Sequence, residues 1–391
     1  MNGRASPISL AAMLVGTLCQ AQTFDRVGRS EVLPPAPRQD WVLVGASLVD
    51  AAGDAFLGVV GVAGGGIIGN AFVFSADKRL LFTVESFYTR GNRGERTDTV
   101  TIFDSSTLNV AGEVVVPSKR ALTAALDGSL ALSDDGRFLA VFNLTPGTSL
   151  SIVDTESRSA VGEISTPGCS LVYPAGQRRY VMLCASGSLL TVTLDSEGNE
   201  LSKARSEGFF DPRTDPVTEA AARFGDQLLL VSFDGIVHPV DISGDEPGFG
   251  ATWSLLTEAD RAEHWRIAGN QHLAVHEGSG RLYSLVRQSE EPLDDPGIMD
   301  GKEIWVYDLG TQRRVARWEA RPESAGGEGG GSGEGIGGTS GDGAANIAVT
   351  RGDDPLLVAA GGGVSVRNAV TGEYIHERLE HAPAGGRLTI P

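Results

Sequence analysis

The densest group of chemically capable side chains in this 391-residue sequence is FYTRGNRGERTD at 87–98, which carries Tyr88, Arg90, Arg93, Arg96 and Asp98. Arginines gathered in a chain this acidic invite a functional reading, although the same composition also serves a solvated loop. Cys169 and Cys184 fall on consecutive expected strands. In an oxidising compartment such a pair reads as a disulfide; the other reading, a metal pair, lacks further thiols or a histidine cluster nearby. The histidines at 238, 264, 272, 276, 376 and 381 form no HExxH or HxH, and His272 and His276, which share a strand face, read as structural. Glu290, Glu291, Asp294 and Asp295 could gather calcium but lack the DxDxDG spacing, so a solvated loop is expected. A GxGxxG at Gly333, Gly335 and Gly338 has no strand before it or helix after it, and the RGD at Arg351–Asp353 occupies a turn. With no GxSxG elbow, P-loop or reactive cysteine, no catalytic residue and no metal ligand is expected in this chain.

The elements that must position these residues recur along the chain. An alternating apolar strand, a polar turn and a second alternating strand are clearest in SLSIVDTESRSAVGEIST at 149–166. The figure repeats with turn anchors at Asp50, Asp104, Asp154, Asp195, Asp241, Asp308 and Asn368. A short Asp or Asn side chain can accept from the backbone two residues on and so start a turn, which makes these carboxylates architectural. Strand-built periods of about 40 to 50 residues mark a β-propeller. The expectation is therefore an all-β, seven-bladed β-propeller over residues 40–391. Most copies are preceded by a strand apolar on both faces, such as Leu228 to Val231, as suits the interior of a stacked blade. The first copy is too short for this, and the C-terminal GGRLTI at 385–390 is expected to close the ring against it.

A net charge of −18 and an isoelectric point near 4.8 argue against nucleic acid as a partner. Residues 1–21 have the form of a secretory signal, with Arg4, an apolar run from Ile8 to Leu18 and small residues Cys19 and Ala21 before the cleavage point. Cleavage after about Ala21 predicts export to the periplasm, leaving residues 22–39, with prolines at 34, 35 and 37, as an extended arm that is disordered or laid over a partner. Thr257 should cap a short helix within 257–266, and the Gly-rich stretch 324–343 should be a flexible insertion.

Several segments give the chain a family resemblance: RGERTDTVTIFD (93–104), TSLSIVD (148–154), GCSLVYPAGQRRYVMLCASGSLLTVTL (168–194), WSLLTEADRAEHW (253–265), AVHEGSGRLY (274–283) and EIWVYDLGTQRRVARW (303–318). Over most of 70–320 the sequence resembles the large (heavy) subunit of tryptophan tryptophylquinone amine dehydrogenases, the methylamine and aromatic amine dehydrogenases. The resemblance implies a periplasmic α2β2 assembly in which a separate, disulfide-rich small subunit carries the quinone and electrons pass to a blue copper protein. It implies that Cys169 and Cys184 form the large subunit's disulfide, and that Arg93, Arg96 and Asp98 belong to its charged loop at the subunit interface. It also implies that Tyr88 lies where relatives place an aromatic near the substrate channel. The other reading is a periplasmic propeller that binds a protein or ligand without redox activity.

Overall fold

Each of the seven turn anchors does what its side chain suggests. The Asp50 carboxylate accepts from the N–H of Ala52 and Gly53, Asp104 from Ser106 and Thr107, and Asp154 from Glu156 and Ser157. Asp195, Asp241, Asp308 and Asn368 make the corresponding bonds to Glu197, Ser243, Thr311 and Val370. The Ser106 and Ser243 hydroxyls, ahead of the backbone N–H groups, keep the Asp104 and Asp241 carboxyls below the usual range, and backbone N–H groups chiefly do so for Asp195 and Asp308. The carboxylates are consumed in turn formation.

These turns sit in seven antiparallel sheets arranged as the blades of a β-propeller. The computed structural model describes residues 32–61, 71–91, 93–122, 127–290, 295–322, 343–383 and 386–391. Blade 2 contains strands Phe72–Phe74, Leu80–Tyr88, Arg96–Asp104 and Val110–Val116. Blade 3 contains Leu130–Leu132, Phe138–Asn143, Ser149–Asp154 and Ser159–Ser165, and blade 4 runs from Cys169–Pro174 to Glu200–Arg205. Blade 5 begins at Val217–Phe224 and splits its outer strand into Gly248–Phe249 and Trp253–Ser254. Blade 6 splits its inner strand into Trp265–Ile267 and Leu273–His276, and blade 7 runs from Ala344–Val349 to Tyr374–His376. Burial follows position within a blade: Phe138–Asn143 is buried throughout, whereas the outer strand Glu200–Arg205 is exposed throughout. Apolar clusters fill the spaces between neighbouring sheets, as packed sheet faces require.

Blade 1 is complete, and the short first repeat has a topological cause. Strands Ala55–Val59, Ser47–Asp50 and Trp41–Val44 come from the N-terminal side, and Leu388–Thr389 supplies the fourth by pairing Val44 with Leu388 and Leu43 with Thr389. Part of the expected arm is also accounted for. The Leu33 N–H donates to the Ser106 carbonyl, and Leu33 packs beside the Trp41, Leu43 and Phe103 cluster, so this segment lies on the chain's own propeller. The expected signal (1–21), residues 22–31 and the glycine-rich residues 324–342 lie outside the described residues. The helix is Glu258–Ala262, with Thr257 as N-cap in a reciprocal capping box with Asp260.

Cys169 and Cys184 are direct cross-strand partners and form a disulfide. Both are buried, which leaves the bond no role at the surface. Replacing both by Ala is expected to cost about 3 kcal/mol, the chain-entropy value for a loop of roughly this length. Chemical denaturation under oxidising conditions checks this, and an unchanged midpoint would contradict it.

Candidate functional site

Blade 2 has the longest middle hairpin among the described residues. Its strands Leu80–Tyr88 and Arg96–Asp104 pair through nine rungs, from Leu80 and Asp104 to Tyr88 and Arg96. Turns alternate ends in an antiparallel blade, so the tip at 89–95 lies on the face opposite the Asp-anchored turns. Ser86 and Asp98 form the last buried rung. Beyond it, Phe87 is 37% exposed and Tyr88 is half-buried, while Arg90, Arg93 and Glu95 are exposed.

The sequence-predicted charged residues therefore separate into two groups. Arg93 stands on the tip. Arg96 and Asp98 turn inward: Arg96 Nε donates to Asp98 Oδ1 at 2.6 Å and Nη2 to Oδ2 at 2.6 Å. Asp98 is fully buried, and its Oδ1 also accepts from Ser86 Oγ at 2.7 Å. Arg120, from the connection to blade 3, joins the group. Its Nε donates to Ser86 Oγ at 2.8 Å, its carbonyl accepts from Arg96 Nη2 at 3.0 Å, and its backbone bridges to Asn143 of blade 3. Burial holds the Arg120 guanidinium below its ordinary value, opposed by Asp98 and Glu85 and reinforced by Arg96. Tyr88 shares the Ser86 side of the sheet. The structure thus brings Tyr88, Arg96 and Asp98 together and leaves Arg93 apart.

Sequence reading missed Glu85, Ser86 and Arg120. Glu85 carried a signal, being a carboxylate inside the apolar run LLFTVESF. A charge in such a place needs a compensating cation. Nothing local marks Arg120 as a member of the group, because it reaches Ser86 from 34 residues away. Beside it on the same face, a cleft of about 280 Å³ is lined by Lys119, Pro146, Thr148 and Glu163, with Lys119 and Glu163 paired at 2.7 Å.

The other candidates are structural. His272 is buried with Nε2 2.8 Å from Thr218 Oγ1, and His276 bonds Ser279 and the Gly352 carbonyl. That last contact fixes the middle of the RGD turn. Asp295 caps the short 3-10 turn Pro296–Ile298, while residues 291–294 lie outside the described residues. Among the described residues, no group of three or more His, Cys, Asp or Glu could hold a metal ion. Trp265 and Trp305 lie 5.1 Å apart, and both are buried in the apolar cluster shared by blades 5 and 6. Their indole N–H groups donate to Glu263 and Glu303, and Arg314 lies 3.9 Å over Trp305. This pair packs the fold.

Burial pushes the His272 imidazole down to about 4, below the 6.5 of an unfolded histidine. Its contribution is therefore full above pH 6.5 and is lost as pH falls toward 4, a change of roughly 3 kcal/mol. Stability measured between pH 7 and 4 should show a decline that His272→Gln removes. An equal decline in the variant would place the acid sensitivity elsewhere.

Fold and site together define a closed seven-bladed propeller whose second blade carries a long, charged middle hairpin. Residues 42–326 match the methylamine dehydrogenase heavy chain (MADH) family, which extends the likeness well before residue 70. The chain belongs to that family. It is 24% identical over 267 residues to the methylamine dehydrogenase heavy chain of Methylophilus methylotrophus, covering 68% of this chain and 64% of the relative. The heavy chain of Methylorubrum extorquens is 26% identical with the same coverage, and that of Paracoccus versutus is 28% identical over 60% of this chain and 54% of the relative. The matched region thus spans less than two thirds of these relatives' own length. Among solved structures, Kuenenia stuttgartiensis hydrazine synthase superposes with a TM-score of 0.54 at 14% identity, covering 92% of this chain and 99% of that one. A functionally unknown protein from Desulfotomaculum acetoxidans gives 0.56 at 10% identity, covering 90% and 98%. At such identities these two likenesses speak for the fold alone.

Proposed function

We propose that the chain is the large subunit of a periplasmic amine dehydrogenase that oxidises primary amines to aldehyde and ammonia. Membership of the heavy chain family carries this reading. The cofactor, tryptophan tryptophylquinone, belongs to a separate small subunit in an α2β2 assembly, and a blue copper protein accepts the electrons. When present, that quinone supplies the electrophile and the electron sink for amine oxidation. The paired tryptophans of this chain do not fit that role, since their indole edges are tied to glutamates and one face is covered by arginine.

This chain's residues then bind and orient. Arg93 contacts the small subunit, and Arg96 and Asp98 keep the interface hairpin in place. Tyr88, half-buried on the hairpin near its tip, walls the path by which the amine enters. An aromatic wall with few polar groups suits a small amine site.

Co-production with a small subunit encoded beside it, followed by dye-reduction assays on methylamine and aromatic amines, tests the proposal. Amine-dependent reduction that requires both chains is expected, and Tyr88→Ala should change KM for bulky amines more than kcat. Failure of the two chains to associate would favour a periplasmic propeller binding module without redox activity.

A further inference from the structure

We infer that the blade 2 hairpin is a preset cationic finger whose tip arginines, Arg90 and Arg93, enter a carboxylate-lined recess of the partner subunit. Arg96, Asp98, Ser86 and Arg120 hold the direction of the finger without touching the partner. The inference rests on the docking reading above and adds to it the chemistry of the contact and the division of labour among the charges.

Bonds among the described residues on either side of position 92 hold the two arms of the tip together. The Thr89 N–H donates to the Glu95 carbonyl and the Arg90 N–H to the Arg93 carbonyl. The Glu95 N–H donates to Thr89 Oγ1, and Tyr88 and Gly91 form a further bridge. Gly94 has φ 105°, and a Cβ there would stand 2.3 Å from Thr89 Oγ1, so the tight return needs glycine. A tip set in this way loses little conformational freedom on docking.

Charge indicates what the tip meets. The whole chain carries −18, yet the described tip residues of this hairpin expose two arginines against one glutamate. An acidic partner surface would be repelled by most of this protein and drawn to this finger, which gives the encounter an orientation. Arginine offers a fork for carboxylates that lysine does not.

Direction is set one rung below. Both Asp98 oxygens accept from Arg96, Ser86 bridges Asp98 to Arg120, and Ser118 Oγ donates to the Arg96 carbonyl at 2.9 Å. These bonds tie both hairpin strands to the connection that leads to blade 3. Since Asp98 is fully buried, the group acts on a partner only through the hairpin it holds.

Affinity for the purified small subunit, measured by calorimetry at two salt concentrations, tests both parts. The double variant Arg90→Glu/Arg93→Glu should keep its melting temperature, bind about 100-fold or more weakly, and reverse the salt dependence, added salt now strengthening what binding remains. Arg120→Lys and Ser86→Ala should weaken binding about tenfold with the salt dependence retained, and Ser86→Thr, which keeps the hydroxyl, should restore affinity. Wild-type affinity and salt dependence in the charge-reversed variant would overturn the cationic contact. Undiminished binding by Arg120→Lys and Ser86→Ala would overturn the positioning role. If the wild-type chain itself binds no small subunit, the docking reading fails and the finger with it, a result distinct from binding that ignores these substitutions.

Discussion

Deleting residues 386–391 is expected to lower the melting temperature by about 7 °C or more. The segment forms only two residue pairs with strand Trp41–Val44, yet other blades depend on it. Leu388 is buried in the blade 1 and blade 7 cluster, and removing such a side chain costs about 2–5 kcal/mol. Gln271, from blade 6, clasps the Leu388 backbone from both sides, its Oε1 accepting from the N–H at 2.7 Å and its Nε2 donating to the carbonyl at 3.1 Å. Asn346 Nδ2 donates to the Gly386 carbonyl at 3.0 Å, and Arg387 pairs with Asp127 at the start of blade 3. Burial pushes the Arg387 guanidinium down to about 10, which still leaves a charge for Asp127 to meet near neutral pH. Each buried group stranded by the deletion costs about 1–3 kcal/mol, and together with Leu388 the loss exceeds about 5 kcal/mol. Gln271→Ala should reproduce a fraction of the effect with the tail intact. Calorimetric melting of both variants checks the claim; a truncated chain that melts with the wild type would show that the ring holds without its closing strand.

The second large effect is expected from Asp98→Ala. Removing a fully buried carboxylate leaves the Arg96 guanidinium without its bidentate partner and takes a favourable charge from beside Arg120, and breaking a buried pair in this way costs about 3–5 kcal/mol. The Arg96 side chain is 18% exposed, so water recovers part of the loss and the lower end of that range applies. The damage should be local at first. Amide exchange between residues 86 and 98 should accelerate while the middle strands of blade 4 stay protected. Asp98→Asn keeps the shape but removes the charge, and should fall between wild type and Ala. Denaturant midpoints together with exchange rates give the answer, and a stable Asp98→Ala chain with a protected hairpin would mean that the buried charges are satisfied in another way.

Local chemistry made most of the fold legible in the sequence. An Asx turn is written in a few adjacent residues, so the seven anchors and the strands around them could be placed without tertiary information. The capping box at Thr257 and Asp260 is local in the same sense. What sequence reading lost was set by distance. Gln271 meets Leu388 across 117 residues, whereas the closing strand was legible, since GGRLTI was expected to complete the short first blade and Leu388–Thr389 does so. The split strands of blades 5 and 6 were hidden as well, since Gly248–Phe249 and Trp253–Ser254 carry too few residues to show a period. At the candidate site, the charged stretch 87–98 was visible by composition, but which charges face inward was not. That depends on register: Ser86, Tyr88, Arg96 and Asp98 share one side of the hairpin, and Arg120 arrives from another segment to cover it.

The central claim is that this propeller carries a small, quinone-bearing partner. The most direct test is to purify the chain from its native host under gentle conditions and record the absorption spectrum of whatever accompanies it. The account predicts a co-purifying small subunit with visible quinone absorbance that bleaches when an amine is added. A colourless single chain, with no small subunit bound and no response to any amine, would contradict it.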